Sequence, residues 1–286
     1  MVLCADDFAM TNGISRALIE LAEAGRLSAV SAMTTTAHWP SHATWLARAR
    51  GRVAAGLHLN LTLGSPLGPM ASFAPGRRFP RIAEVTARAL LRSIDRDELA
   101  AEIERQILAF EAEVGFPPDH VDGHQHVHAL PLVRGVLLDV LERRYPAGRV
   151  RPLLRSSADD VARNVKRGGS ISKALKLGAL SAGFTAAANA RGFDTNEGFS
   201  GSTGFAPDQV AADFSVACRH PGPRHLVMCH PGFVDEELIR IDPVLERRQR
   251  EFEYLLGGRF ELPVWRPQRS ATGPAVDWQA DWSGTT

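Results

Sequence analysis

The chain of 286 residues is long enough for one large α/β domain and does not require two. Lys and Arg number 33 against 32 Asp and Glu, and 44% of residues are hydrophobic, an ordinary globular balance with no charge bias toward nucleic acid or an anionic membrane. The three cysteines, Cys4, Cys218 and Cys229, are odd in number and far apart, which argues against a disulfide framework or zinc ribbon and fits a reduced, cytoplasmic location. Met1–Ala5 runs straight into Asp6-Asp7 without a basic or long apolar lead, so no signal peptide is expected, and no run of about 18 apolar residues predicts an integral membrane segment.

In chain order, Val2–Ala5 reads as a strand, and Asn12-Gly13 turns it into a helix near Ile14–Ala24. Leu27–Met33 is the next strand, followed by a helix around Trp39–Arg50 and a third strand, Val53–Leu61, in which Gly56, His58 and Asn60 alternate with Leu57, Leu59 and Leu61. Thr62–Pro80 reads as a long loop. Arg96–Val114 is a periodic helix, His120–His128 a strand or strand end, and Pro131–Arg144 helical with Pro131 at its start. Val150–Leu154 reads as a strand, and Asp159–Leu177 as a helix broken at Gly168-Gly169. Gly198–Gly204 is a Gly/Ser/Thr loop, Pro207–Arg219 a helix, Arg224–Cys229 a strand and Pro243–Leu256 a helix. One domain is expected over residues 1–267, with a polar, loosely attached tail over residues 268–286. Six or seven strand–helix units predict a parallel sheet closed, or nearly closed, into a (β/α) barrel, whose active site lies at the C-terminal strand ends.

The polar residues of interest fall at those ends. Asp6-Asp7 ends the first strand; the adjacent carboxylates repel, although either also serves a turn or helix cap. His58 ends the third strand, with Gly56 leaving room on the same face, and a structural histidine is the plain alternative. Asp122-Gly123-His124-Gln125-His126-Val127-His128 is the most informative stretch. Extended backbone would project Asp122, His124, His126 and His128 from one face, and burying three imidazoles without partners is costly. Imidazole is a common metal ligand that leans on a carboxylate or carbonyl; the chain is expected to bend or end within the motif, so the three are not expected to share one ion. His230 follows the late strand at a Pro-Gly stop, either facing a cleft or idle in a loop. Arg151 is either a partner for a site carboxylate or an edge charge. Thr62–Pro80 and Ser200–Phe205, with Phe199 and Phe205 for apolar contact, are expected to wall a substrate cleft.

Asp6-Asp7-Phe8 after an apolar strand, Gly56-Leu57-His58, the Asp122-x-His-x-His-x-His cluster and Met228-Cys229-His230-Pro231 together resemble the YdjC-like family of carbohydrate deacetylases, which includes chitooligosaccharide and hopanoid-biosynthesis-associated deacetylases. The resemblance runs in order from residue 2 to about residue 235. It implies a distorted (β/α) barrel of the polysaccharide-deacetylase-like type and one divalent metal, zinc or magnesium, on Asp7, His58 and His124. It further implies Asp6 as general base and His230 as a second acid/base group, with Arg151, Asp122, His126, His128 and Phe205 as substrate or supporting residues. Ala9 stands where the family usually has Gly. The implied substrate is an N-acetylated sugar, free or carried on a glycolipid; no nucleic-acid partner is expected, and a homodimer is compatible with the reading. A metal-dependent phosphoesterase, and a non-catalytic sugar- or lipid-binding protein on the same fold, are the competing readings.

Overall fold

The computed structural model describes every residue except 169, 170, 203, 259, 261, 262, 270–275 and 283–286. The elements in chain order are β1 (Val2–Phe8), α1 (Asn12–Glu23), β2 (Ala29–Ala32), α2 (Trp39–Arg48), β3 (Ala54–Leu59), α3 (Ile82–Leu90), α4 (Arg96–Val114), β4 (His120–Gly123), α5 (Val133–Arg144), β5 (Leu153–Leu154), α6 (Val161–Arg167), α7 (Ile171–Leu180), α8 (Phe184–Ala190), β6 (Gly198–Ser200), α9 (Val210–Cys218), β7 (His225–Cys229), α10 (Glu236–Ile241) and α11 (Glu246–Leu256). The seven strands form one parallel sheet in the order β5-β4-β3-β2-β1-β7-β6. The sheet curls until its two edges almost meet, where a single parallel bridge joins Leu154 to Thr195. Asn196 laces that seam: its Oδ1 accepts from Ser156 N at 2.7 Å, and its Nδ2 donates to the carbonyls of Ser156 and Gly198. The expected distorted (β/α) barrel is the fold.

Helix formation follows local chemistry. Asp95 caps α4 by accepting from the amides of Asp97 and Glu98, and Gly115, at φ +79°, ends it in the left-handed region that glycine tolerates best. On the buried face of α4, Leu99, Ile103, Ile107 and Phe110 enter the core, while Glu102 and Gln106 remain polar for a reason. Glu102 accepts from the amides of Leu67 and Gly68, and Gln106 pairs with the backbone of Asn60, so α4 anchors the loop that follows β3.

Alternation along the strands sorts the side chains into two sets. Leu3, Ala5, Val30, Ala55, Leu57, Val121 and Val227 belong to the large core that includes the helices. Val2, Cys4, Ala29, Ala54, Leu153, Leu226 and Met228 belong to a second cluster with Trp265, Val276, Trp278 and Trp282. That second cluster marks the barrel interior, which grades along the strands from apolar at the N-terminal ends to charged at the C-terminal ends.

Two sequence expectations change here, and a third is met in part. The Gly198–Gly204 loop begins as a strand, because Gly198–Ser200 pairs in parallel with His225–Val227. The helix break at Gly168-Gly169 is seen at Gly168, at φ +79°, whereas Gly169 lies outside the described residues. The tail is not loose where it is described: Trp278 and Trp282 are buried at 6% and 1% exposure, and Trp278 Nε1 donates to Asp119 O at 2.9 Å. Its polar composition hid two large rings whose burial outweighs the cost of ordering the chain. Trp278→Ala is therefore expected to destabilise the protein by about 3–5 kcal/mol, the usual scale for emptying a buried aromatic site. Urea denaturation measures it, and a loss below about 1 kcal/mol would show the segment to be peripheral.

Candidate metal centre and active site

The interior-facing positions that end the strands converge. β1 changes register against β2 between Ala5 and Phe8, an irregularity that re-aims consecutive side chains and lets both Asp6 and Asp7 reach the site. Asp7 adopts φ +69° and Ala9 φ +68°, closing a tight turn in which Met10 N donates to Asp7 O at 2.9 Å. A left-handed alanine costs about 1–2 kcal/mol, which gives the resemblance's preference for Gly at position 9 a physical basis. Backbone strain of this kind recurs beside functional sites.

The donor atoms of Asp7, His58 and His124 lie within 4.8 Å of one another. Asp7 Oδ1 accepts from His124 Nδ1 at 2.9 Å and faces His58 Nε2 at 3.4 Å. The other nitrogen of His58, Nδ1, donates to Asp122 Oδ1 at 2.6 Å, so Nε2 presents its lone pair to the carboxylates of Asp7 and, at 3.9 Å, Asp6. A lone pair held against two carboxylates calls for a cation or a proton between them. Burial alone would lower the His58 pKa, but the charges of Asp122 and Asp6 and its hydrogen bonds raise it to about 10. One carboxylate and two imidazoles, one of them oriented by a further carboxylate, form a donor set that a divalent cation fits.

Asp6 sits beside this cluster and is 1% exposed. Arg155 grips it in a two-pronged pair, Nη1 to Oδ1 at 2.7 Å and Nη2 to Oδ2 at 2.9 Å. Arg155 Nη1 also lies 2.9 Å from Asp122 Oδ2, so one fully buried guanidinium serves two carboxylates. Burial opposes ionisation of Asp122, but Arg155 and His58 keep its carboxyl well below the usual range. Ser31 Oγ donates to Asp122 Oδ2 at 2.7 Å and pairs with His120 Nε2 at 2.9 Å. Gly56 is required here because a Cβ would sit 2.2 Å from His120 Nε2; the space it leaves is filled by a ring below the site rather than left open above it.

On the opposite side, His230 Nε2 lies 4.0 Å from Asp6 Oδ2, and the Phe205 ring packs edge-on against the imidazole at 5.4 Å. Burial lowers the His230 pKa, partly offset by Asp6 and Asp7.

The shared face that fully extended backbone would give Asp122, His124, His126 and His128 is broken by the expected bend. β4 stops at Gly123 and a 3₁₀ turn begins, with Gln125 and His126 at φ +52° and +61°, so the three imidazoles fan apart. His124 joins the Asp7 cluster, His126 Nδ1 pairs with Ser157 Oγ at 3.0 Å, and His128 Nε2 donates to Arg155 O at 2.8 Å. Burial, reinforced by Arg155, lowers the His128 pKa to about 4, so this ring supports the strand end as a neutral donor. Arg151 is placed away from the cluster: it bonds Arg191 O and stacks on Phe193 at 4.5 Å. It lies two residues before β5, and Arg155, four residues on, is the one that arrives. Phe199 is buried within the barrel against His126 and does not face a cleft. Arg155 was legible in part, since Leu153 and Arg155 share a strand face just where β5 ends. Arg248, which donates to Asp7 Oδ2 at 2.7 Å from α11, left no local signal.

A family model described as YdjC-like protein matches residues 1–262. A chitooligosaccharide deacetylase of Proteus mirabilis (strain HI4320) is 25% identical over 264 residues, covering 89% of each protein. A chitooligosaccharide deacetylase of Yersinia enterocolitica is 34% identical over 134 residues, 46% of this chain and 52% of the relative. A carbohydrate deacetylase of Geobacillus stearothermophilus is 34% identical over 154 residues, 52% of this chain and 59% of the relative. The chain thus spans about half the length of several curated relatives it matches. Among solved structures, one from Enterococcus faecalis V583, described as a candidate cellobiose-phosphate cleavage protein, superposes with a TM-score of 0.66 at 22% identity, covering 91% of each chain. That likeness concerns the fold.

Proposed function

This chain belongs to the YdjC-like protein family, and on that premise we propose that it is a metal-dependent hydrolase removing the acetyl group from an N-acetylated sugar. The observation that carries the reading is the convergence of Asp7, His58 and His124 beside an Asp6 that Arg155 holds in place. A divalent cation, zinc or magnesium, held by those three residues would supply polarisation of the acetyl carbonyl and acidification of water. Asp6 accepts the proton of the attacking water; its pairing with Arg155 fixes the carboxylate plane and leaves further lone pairs free. His230 Nε2, 4.0 Å from Asp6 Oδ2, receives the proton that Asp6 takes from the water and passes it to the departing nitrogen. Asp122 orients His58 by accepting from its Nδ1.

Arg155 also bears on the phosphoesterase reading. Two-metal sites hold their ions about 3.5–4 Å apart, yet the neighbouring Asp6–His58–Asp122 group already has Arg155 as its cation. A non-catalytic binding protein has no use for Asp6 beside a complete donor set. Acetate release from N-acetylated sugars, set against hydrolysis of phosphate esters, separates the three readings. His58→Ala and His124→Ala are each expected to lower metal affinity by about 10-fold or more, and activity with it. Full metal occupancy in both variants, measured by elemental analysis, would mean that the ligands are other residues.

The acetylated sugar is part of an oligosaccharide or a glycolipid. A cavity of about 400 Å³ beside His126, lined by Ile82, Leu130, Leu177 and Leu180 among others, supports an apolar extension of the substrate. Thr62–Pro80, which leaves β3 at its C-terminal end, and Ser200–Phe205 wall the cleft in this reading; Thr203 lies outside the described residues. Shortening Thr62–Pro80 is expected to raise KM or shift preference among acetylated sugars while metal stays bound. Unchanged kinetics across the panel would remove the loop from the cleft. Cys4, Cys218 and Cys229 are buried and in no disulfide, which suits the cytoplasmic placement we propose; among the described residues no helix is long and apolar enough to cross a membrane.

A further inference from the structure

The chemistry above uses no residue of α11, yet that helix buries three charged side chains, Arg247, Arg248 and Glu251, at 2–3% exposure. Burial of charge is costly and calls for specific partners. Glu251 accepts from His230 N at 2.7 Å and from Arg247 Nε at 2.7 Å, and Arg247 reaches Ala206 O at 2.8 Å, so these two brace the His230 and Phe205 loops.

Arg248 does something different. Its Nη2 lies 2.7 Å from Asp7 Oδ2 and 2.5 Å from Asp242 Oδ2, with Nε 3.2 Å from the same Asp242 oxygen. The two oxygens of Asp7 are thereby divided: Oδ2 is engaged by the guanidinium, and Oδ1 alone faces His58 and His124. A carboxylate with both oxygens free can bind a cation through one or both. A fixed positive charge on one oxygen prevents the second mode and repels an incoming cation. The candidate site thus keeps a coordination position open that Asp7 would otherwise fill, and open positions distinguish catalytic from structural metal sites.

We infer that Arg248 is a positioning residue that restricts Asp7 to one oxygen toward the metal, making the metal weaker-bound and the site more open. This rests on the reading of Asp7 as a metal ligand. The test titrates chelator-treated protein with zinc against a chromophoric chelator and measures kcat and KM separately. Arg248→Met and Arg248→Gln are expected to bind zinc about 10-fold tighter, with kcat lowered and KM little changed, because a positive charge that repels the cation is removed and both oxygens of Asp7 become available to it. Arg248→Lys keeps the charge and is expected to hold zinc as the unaltered protein does. A side chain that merely supports the fold would lower Tm without tightening zinc. Unchanged or weaker zinc binding in the Met and Gln variants overturns the inference; if the Met variant does not fold, the Gln and Lys pair decides it. Asp7→Asn separates the two failures. Undiminished zinc affinity there removes Asp7 from the ligands, and the underlying reading fails. Zinc lost in Asp7→Asn but unchanged in Arg248→Gln overturns the role of Arg248 alone.

Discussion

Replacing Arg155 with Met is expected to lower the unfolding free energy of the metal-free protein by about 3–5 kcal/mol, the scale for breaking a buried ion pair by removing one partner. Arg155 is fully buried, with Asp6 at 2.7 and 2.9 Å and Asp122 at 2.9 Å. Its loss leaves Asp6 without an arginine, facing His58 and His230 at 3.9 and 4.0 Å, and Asp122 with His58, Ser31 and, at 3.8 Å, His120. Metal-free conditions matter, because a bound cation would replace part of the missing charge. The double variant Asp6→Asn/Arg155→Met removes the stranded carboxylate along with the guanidinium and should recover part of the loss. Chemical denaturation of the four proteins provides the cycle; a single-variant loss under about 1 kcal/mol, or losses that simply add, would mean that Arg155 is not the electrostatic keystone of the interior.

Asp6→Asn is expected to leave metal bound while lowering kcat by about 100-fold or more, the scale for losing a general base. The substitution keeps the shape of the side chain and one accepting oxygen for Arg155, so stability should change less than in the arginine variant. Asp6 stands outside the Asp7–His58–His124 donor set but within 3.9 Å of His58 Nε2. Metal content by elemental analysis and acetate release by coupled assay decide the matter together. Loss of metal in Asp6→Asn would show that the two adjacent aspartates share or exchange roles.

The parts of this arrangement that were legible in the sequence are those set by local rules. Strand positions followed from short apolar runs, and the parity of Gly56, His58 and Asn60 against Leu57 and Leu59 identified which residues enter the barrel. What escaped was set by distance or by backbone exceptions. A bend that parts His124, His126 and His128 is expected from the sequence, but its form, with Gln125 and His126 at positive φ, is announced by neither residue type. Arg248 meets Asp7 across 241 positions with nothing local to mark it among 33 basic residues, and Arg155 meets Asp6 across 149 with only its parity with Leu153 as a signal. Polar neighbours dominate the average of the final segment and hide its tryptophans, although Trp278 meets the His120 ring edge-on at 6.2 Å in the barrel.

The position of β1 between β2 and β7 carries a consequence for how the protein is made. Its pairing with β2 needs residues only about twenty-five positions later, but its pairing with β7, Val2 to Leu226 through Ala5 to Cys229, waits for the far end of the chain. At about 5–20 residues per second of synthesis, one edge of β1 stands unpaired for roughly 10–45 s while the ribosome completes the rest. During that interval an apolar strand edge is open to the wrong partner. Asp7, His58 and His124 all emerge well before β7, so the metal-binding residues are synthesised long before the barrel that contains them can form.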